Sequence, residues 1–278
     1  MSGGKQKARR RGVVEWHARH GDSGLAILPD REALARAAAA RFVSAARRAI
    51  GARGRFAVAL SGGSTPRRLY DILATRRYAA RVDWARVHVF WGDERCVPPD
   101  HPASNYGAAR RALLDHVPVP EANVHRIRGE DDPARAAVDY EGELRAFFRT
   151  PGGPPRCAAG SRFDLVLLGM GADGHTASLF PGSPSLEERE RWAVAVWGAG
   201  MWRVTLTLPV INAAAEIVVL VAGREKAAVL QKALRGARGA DELPVQRIDP
   251  PSGRLWWLAD ASAASGSAPS GGRESVAQ

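Results

Sequence analysis

The stretch Phe163 to Phe180, FDLVLLGMGADGHTASLF, constrains the fold more than any other. Phe163 to Leu168 is mostly apolar and has the length of a buried strand. Gly169, Gly171 and Gly174 then break the run. Asp173 and His175, the two groups best suited to proton chemistry, stand inside that glycine loop. Thr176 to Phe180 has room to begin a helix, which Pro181 and Gly182 would stop.

Read literally, Gly169 to Gly174 fits G-x-G-x-x-G. A dinucleotide site needs a longer helix after the glycines and an acidic residue closing a second strand about twenty residues on. The acids at that distance, Glu187, Glu188 and Glu190, fall in a polar segment before Trp192. That reading also leaves His175 without a role, so we reject it.

Other runs repeat the theme. RFAVAL (55–60) leads into Ser61-Gly62-Gly63-Ser64-Thr65, and VHVFW (87–91) leads into Gly92-Asp93-Glu94-Arg95. EIVVLV (216–221) leads into Ala222-Gly223-Arg224-Glu225-Lys226. Shorter strands are expected at Val13–His17, Gly24–Leu28, Asn123–Ile127, Trp192–Trp197, Val204–Leu208 and Leu255–Leu258. Helices are expected from Asp30 to Ile50, with Gly51 and Gly54 ending it, and from Pro66, after a Thr65 N-cap, to Thr75. Further helices are expected over Tyr106–Asp115, Pro133–Phe148, Ile211–Ala215 and from Lys226 to Arg235. Pro151 to Gly160 reads as an exposed Gly/Pro-rich connector.

Strands alternating with helices, several of them apolar throughout, argue for one doubly wound, mostly parallel α/β sheet covered by helices on both faces. The expected domain spans 13–262, between a basic tail at 1–12 and a Ser/Gly-rich tail at 263–278, both disordered. Ligands of such sheets bind beyond the carboxyl ends of the strands. The four polar loops all lie at that end and can form one rim.

The formal net charge of +11 fits an anionic partner or an arginine-rich solvated surface. No basic stripe is interleaved with aromatics, so specific nucleic-acid binding is not expected. No apolar run reaches membrane-spanning length and no signal-peptide pattern is present, so neither a membrane nor a secretory role is expected. The two cysteines, Cys96 and Cys157, form no paired motif, in keeping with the cytoplasm. Cys96 reads as a packing residue. His88, His101, His116 and His125 lack metal-ligand spacing, and no metal or other cofactor is expected.

Within the rim, His175 is the candidate general base and Asp173 its orienting partner, or else a cap for the following turn. Ser61, Gly62, Gly63, Ser64 and Thr65 feed a helix N-terminus whose amides attract anions. Arg95 and Lys226 can join them to hold a phosphate. A salt bridge to the preceding acids is the plain alternative for Arg95, and a solvated helix position for Lys226.

Six blocks, SGGSTPRRLYDIL, VHVFWGDERCVP, HPASNYGAAR, FDLVLLGMGADGHTASLFPG, RVTLTLPVINAA and VAGREKAAVLQKAL, together resemble the 6-phosphogluconolactonases. The resemblance runs from about Leu25 to Leu258. It implies hydrolysis of 6-phospho-D-glucono-1,5-lactone in the oxidative pentose phosphate pathway, without redox cofactor or metal; the expected assembly is a monomer or small homo-oligomer. It implies His175 as base, Arg95 and Lys226 on the substrate's anionic end, the SGGST loop in the same pocket, and Arg203 close by. Glucosamine-6-phosphate deaminase is the related alternative, but DGHTASLFP departs from its DGHIAFNEP pattern. A non-catalytic sugar-phosphate sensor would carry a helix-turn-helix module, for which the short basic tail leaves no room.

Overall fold

The computed structural model describes residues 13–14, 24–148, 161–235, 239 and 241–265. The basic tail at 1–12, the connector at 151–160 with Cys157, the tail beyond 265 and the expected continuation of a first strand to His17 lie outside the described residues. The strands are β1 (Val13–Val14), β2 (Gly24–Leu28), β3 (Phe56–Leu60), β4 (Val87–Trp91), β5 (Asp93–Arg95), β6 (Leu165–Gly169), β7 (Ala193–Gly198), β8 (Met201–Leu206), β9 (Glu216–Val221) and β10 (Arg254–Asp260). The helices are α1 (Arg31–Arg53), α2 (Ser64–Ala74), α3 (Arg76–Ala79), α4 (Asn105–Ala112), α5 (Pro133–Phe148), α6 (Leu208–Asn212) and α7 (Ala227–Arg235).

The central sheet has the order β1-β2-β10-β9-β6-β3-β4, and every neighbouring pair is parallel except β1 with β2. Every residue of β3 and β9 is buried, as the unbroken apolar runs require. From β3 the chain winds outward to β4 at one edge, then returns to β6 on the other side of β3. That reversal opens a crevice at the carboxyl ends of β3 and β6, where the Ser61 and Gly169 loops begin.

Local chemistry explains the helix ends. Asp30 caps α1 by accepting the Ala33 amide at 2.7 Å, and Gly54, at φ 74°, donates its amide to the Ile50 carbonyl. Gly51, expected to help end this helix, lies inside it on the exposed side, where glycine costs only about 1 kcal/mol. The N-cap of α2 is Gly63 rather than Thr65: its carbonyl accepts the Arg67 amide and the helix begins at Ser64. Pro66 then sits in the first turn, where a missing N–H has no partner to lose.

Several expectations need correction. Asp93 to Arg95 is not a loop but a strand, β5, in a second, antiparallel sheet ordered β5-β8-β7. No helix forms over Thr176–Phe180. Ala177 takes a left-handed φ of 48°, and Thr176 pairs across a tight turn with Leu179. Asn123–Ile127 contributes only one bridge, Val124 with Val89. The helix expected to reach Asp115 ends at Ala112 and gives way to a 3₁₀ turn, and the one expected over Ile211–Ala215 is Leu208–Asn212. Lys226 ends a 3₁₀ turn just before α7. At the far end, structure continues past 262: Ala263 and Ala264 are buried.

Candidate active site

A cavity of about 270 Å³ lies at the carboxyl rim of the central sheet. Its wall takes residues from all four loops singled out in the sequence: Ser61 to Thr65, Asp93 with Arg95, Gly169 to Gly171 with His175, and Lys226. Arg203 from β8 joins them. Asp173 stands behind His175 rather than in the wall.

The Gly169–Thr176 loop is closed by its own bonds. Thr176 Oγ1 donates to the Gly169 carbonyl at 2.8 Å, and the Gly171 amide donates to the His175 carbonyl at 2.8 Å. One Asp173 carboxylate oxygen meets both the His175 amide (3.1 Å) and His175 Nδ1 (2.6 Å). Burial works to raise the Asp173 pKa, but the bonds from His175 prevail and hold it below its usual value. With Nδ1 committed to a carboxylate, the imidazole carries its lone pair on Nε2 when neutral. Gly171 makes this geometry possible, because a Cβ there would stand 2.0 Å from His175 Nδ1 and 2.5 Å from the Asp173 carboxylate. The His175 ring rests on Phe180, with centroids 4.8 Å apart.

The Ser61 loop is anchored from its own helix. Tyr70 on α2 donates its hydroxyl to the Ser61 carbonyl (2.7 Å) and accepts the Ser61 amide (3.0 Å). Its burial raises the phenol pKa and keeps it protonated. Gly62 packs where any side chain would collide with Asn105, 1.8 Å from its Oδ1. The first-turn amides of α2 have no acceptor within the helix. Ser61 Oγ is buried without a hydrogen-bond partner.

The cations rest on a buried acidic pair. Glu94 accepts the amides of Arg95, Asn105 and Tyr106 at 2.7–2.8 Å and the Ser104 hydroxyl at 3.0 Å, which ties β5 to the start of α4. Burial pushes its pKa up against those bonds. Asp93 accepts Ser178 Oγ at 2.6 Å and lies 3.9 Å from Arg203. Arg95 and Arg203 are directly opposite in the β5–β8 ladder, an unfavourable placement for like charges. Burial first, and Arg95 second, lower the Arg203 pKa. Arg95 Nη1 donates to the Ala103 carbonyl at 2.7 Å, while its buried Nε has no partner. Lys226 has no ion-pair partner among the described residues. The cavity therefore holds excess positive charge and unused donors, and suits a compact anion.

Two lining residues escaped the sequence reading. Asn105 donates Nδ2 to the Asp93 carbonyl at 2.9 Å and so braces the turn carrying Arg95. It stands in the HPASNYGAAR block, and its role as a brace depends on the fold bringing it to Asp93. Arg31 opens α1 just past β2, a fifth strand end on the rim. Cys96 is half-buried, and burial raises its thiol pKa to about 11, which fits packing. Among the described residues no group of three or more His, Cys, Asp or Glu could hold a metal ion.

The family model described as glucosamine-6-phosphate isomerases/6-phosphogluconolactonase matches residues 29–257. A 6-phosphogluconolactonase of Nostoc sp. is 43% identical over 240 residues, covering 85% of this chain and 95% of its own. Among solved structures, 6-phosphogluconolactonase from Trypanosoma cruzi superposes with a TM-score of 0.78 at 28% identity, over 91% of this chain and 98% of its own. A monomeric glucosamine-6-phosphate deaminase superposes with a TM-score of 0.72 at 19% identity, over 87% of this chain and 99% of its own, which is a likeness of fold alone.

Proposed function

The chain belongs to the glucosamine-6-phosphate isomerase/6-phosphogluconolactonase family, and from that premise we infer that it is a lactone hydrolase. It opens 6-phospho-D-glucono-1,5-lactone to 6-phospho-D-gluconate, a step of the oxidative pentose phosphate pathway. One observation carries the assignment of the site. A histidine oriented by a carboxylate and a set of under-neutralised cations face one cavity.

We assign His175 as the base. Nδ1–H points at Asp173, so Nε2 takes a proton from water as the oxygen attacks C1. A lactone carbonyl is already electrophilic, so an activated water suffices. Charge building on the carbonyl oxygen is favoured by the positive field of Arg95 and Arg203. On collapse the C1–ring-oxygen bond breaks. The alkoxide recovers the proton from the imidazolium, and the new carboxylic acid ionises. One water is consumed, and one carboxylate, one alcohol and one proton result. The phosphate is assigned to Lys226, Arg95 and the first-turn amides of α2, which resemble other helix-start phosphate sites.

A hydrolysis assay with spontaneous lactone opening subtracted tests the reading. The phosphorylated lactone should be strongly preferred over glucono-1,5-lactone, and glucosamine 6-phosphate should release no ammonia. Equal use of the two lactones would remove the phosphate assignment, and ammonia at an enzymatic rate would move the chain to the deaminase branch. A cytoplasmic site of action is in keeping with two cysteines that form no paired motif.

A further inference from the structure

The cavity wall includes a cation that neither the base nor the assigned phosphate contacts require. Arg31 lines it beside Ser64, Thr65 and Lys226, and also borders the adjoining hollow between α1 and α2. Its root is fixed, because Asp30 caps the helix it opens. Its head is not. Nη2 lies 3.9 Å from the Glu225 carboxylate and Nε lies 3.8 Å from Asp260, both beyond hydrogen-bond length. The side chain is 60% exposed.

Two acids share Arg31 among the described residues, Glu225 and Asp260, and neither depends on it. Asp260 is buried and accepts the Gly223 amide at 3.1 Å and the Ala263 amide at 2.7 Å, so its role persists if the guanidinium leaves. The adjacent acid, Glu32, is occupied by Arg36 at 2.9 Å and Arg68 at 2.6 Å. Glu225 itself is 62% exposed, and among the described residues its ion-pair partner is Arg31. The two cross over Gly223, which has φ 103°. A Cβ there would lie 2.4 Å from the Glu225 carboxylate and 2.7 Å from Arg31 Nη2. The Lys226 turn is thus shaped to let a guanidinium and a carboxylate pass directly above it.

We propose that Arg31 is a specificity-determining residue that exchanges the Glu225 carboxylate for the phosphate of the substrate. Glu225 is a resident stand-in: a single exposed carboxylate at long range, which a phosphate of charge near −2 with several acceptor oxygens outcompetes. This rests on the lactonase reading and adds to it a selectivity contact from the β2 end of the sheet, opposed by an internal competitor.

The opposition gives two substitutions with effects of opposite sign. Arg31→Gln should raise KM for the phosphorylated lactone about tenfold, the lower end for a charge-assisted contact because the group is exposed. The preference for phosphorylated over unphosphorylated lactone in kcat/KM should fall by the same factor. Glu225→Gln should lower that KM about two- to threefold, the size of a surface ion pair. A merely structural ion pair would instead make both variants less stable and shift both KM values the same way, so melting temperatures are measured alongside. Calorimetric binding of 6-phosphogluconate separates the two levels of the argument. Arg31-dependent binding without lactone turnover keeps this assignment and removes the hydrolase reading. Wild-type turnover with equal binding by Arg31→Gln overturns the assignment and leaves the hydrolase reading intact, as does a raised KM in Glu225→Gln.

Discussion

The two ends of the central sheet use the same charged residue types and treat them in opposite ways. At the amino end, buried Glu216 receives Arg48 at 2.6 Å, Arg254 at 2.7 Å and Arg41 at 3.3 Å. Nearby, Asp164 pairs with Arg53 and accepts the Ala57 amide. At the carboxyl end, Arg95 and Arg203 face each other, Lys226 has no acid partner among the described residues, and Arg95 Nε and Ser61 Oγ are buried without partners. Closed charge clusters join strands to helices. Open ones are tolerated only where a ligand completes them, and a family that shares one scaffold can vary its chemistry at that end alone.

The comparison can be broken most sharply at His175. His175→Ala should lower kcat by about 10²–10⁴-fold and leave the unfolding midpoint nearly unchanged. Steady-state kinetics with background hydrolysis subtracted test this, and a loss within about threefold would end the general-base assignment. Asp173→Asn should lose less, since its carboxylate orients the ring rather than taking the proton.

The mirror experiment lies at the other end. Glu216→Ala leaves three guanidiniums around an uncharged site, and denaturant unfolding should show a loss of about 3 kcal/mol. Folded enzyme should keep its kcat/KM. Loss of turnover without loss of stability would mean that the two ends are not separable. A milder contrast comes from Lys226→Ala, which should raise KM by a factor equivalent to about 1.5–3 kcal/mol while sparing kcat and stability. Raised salt should narrow the gap between this variant and wild type.

The smallest expected effect belongs to neither end. His88 on the outer strand β4 faces His125 (3.2 Å), Phe147 and Arg55, and His125 in turn meets Glu143 at 2.6 Å. Burial, and then the charges of His125 and Arg55, lower the His88 pKa to about 4. An unfolded histidine titrates near 6.5, so as pH falls the unfolded chain binds this proton first. The stability contribution is complete above about pH 6.5 and is lost as pH falls toward 4. For a partly buried ring it amounts to about 1–2 kcal/mol. His88→Asn should flatten that acid limb in pH-dependent unfolding, with turnover at neutral pH unaffected.

How much of this could be read from the chain depended on the kind of signal. Apolar runs such as EIVVLV announce strands, and β9 falls on those same residues. A strand made of Asp93, Glu94 and Arg95 has no such signature. It is a strand because β8 pairs with it and α4 supplies amides to Glu94, and neither partner is local. The turn after His175 defeated the reading for a related reason: its left-handed residue is Ala177, which lacks the permissive backbone that marks a turn. Residues able to do chemistry stood out by type and position. Those that aim them, Asn105 and Asp260, did not, because a brace is recognised only once its partner is in place.

The pairing of β2 with β10 also sets a schedule. Apart from the two-residue β1, the neighbour that β2 has in the sheet is β10, which runs beside it from Gly24–Trp256 to Leu28–Asp260. Roughly 225 residues separate the two, so at about 5–20 residues per second a ribosome makes the first of them about 10–45 s before the second. Until then α1 can pack on α2 and β3 but lacks its contacts with β10. Arg31, which opens it, and the Gly223 turn held by Asp260 reach their places with β10. A nascent chain stopped short of Arg254 would carry the His175 loop and most of the cations but not the finished pocket.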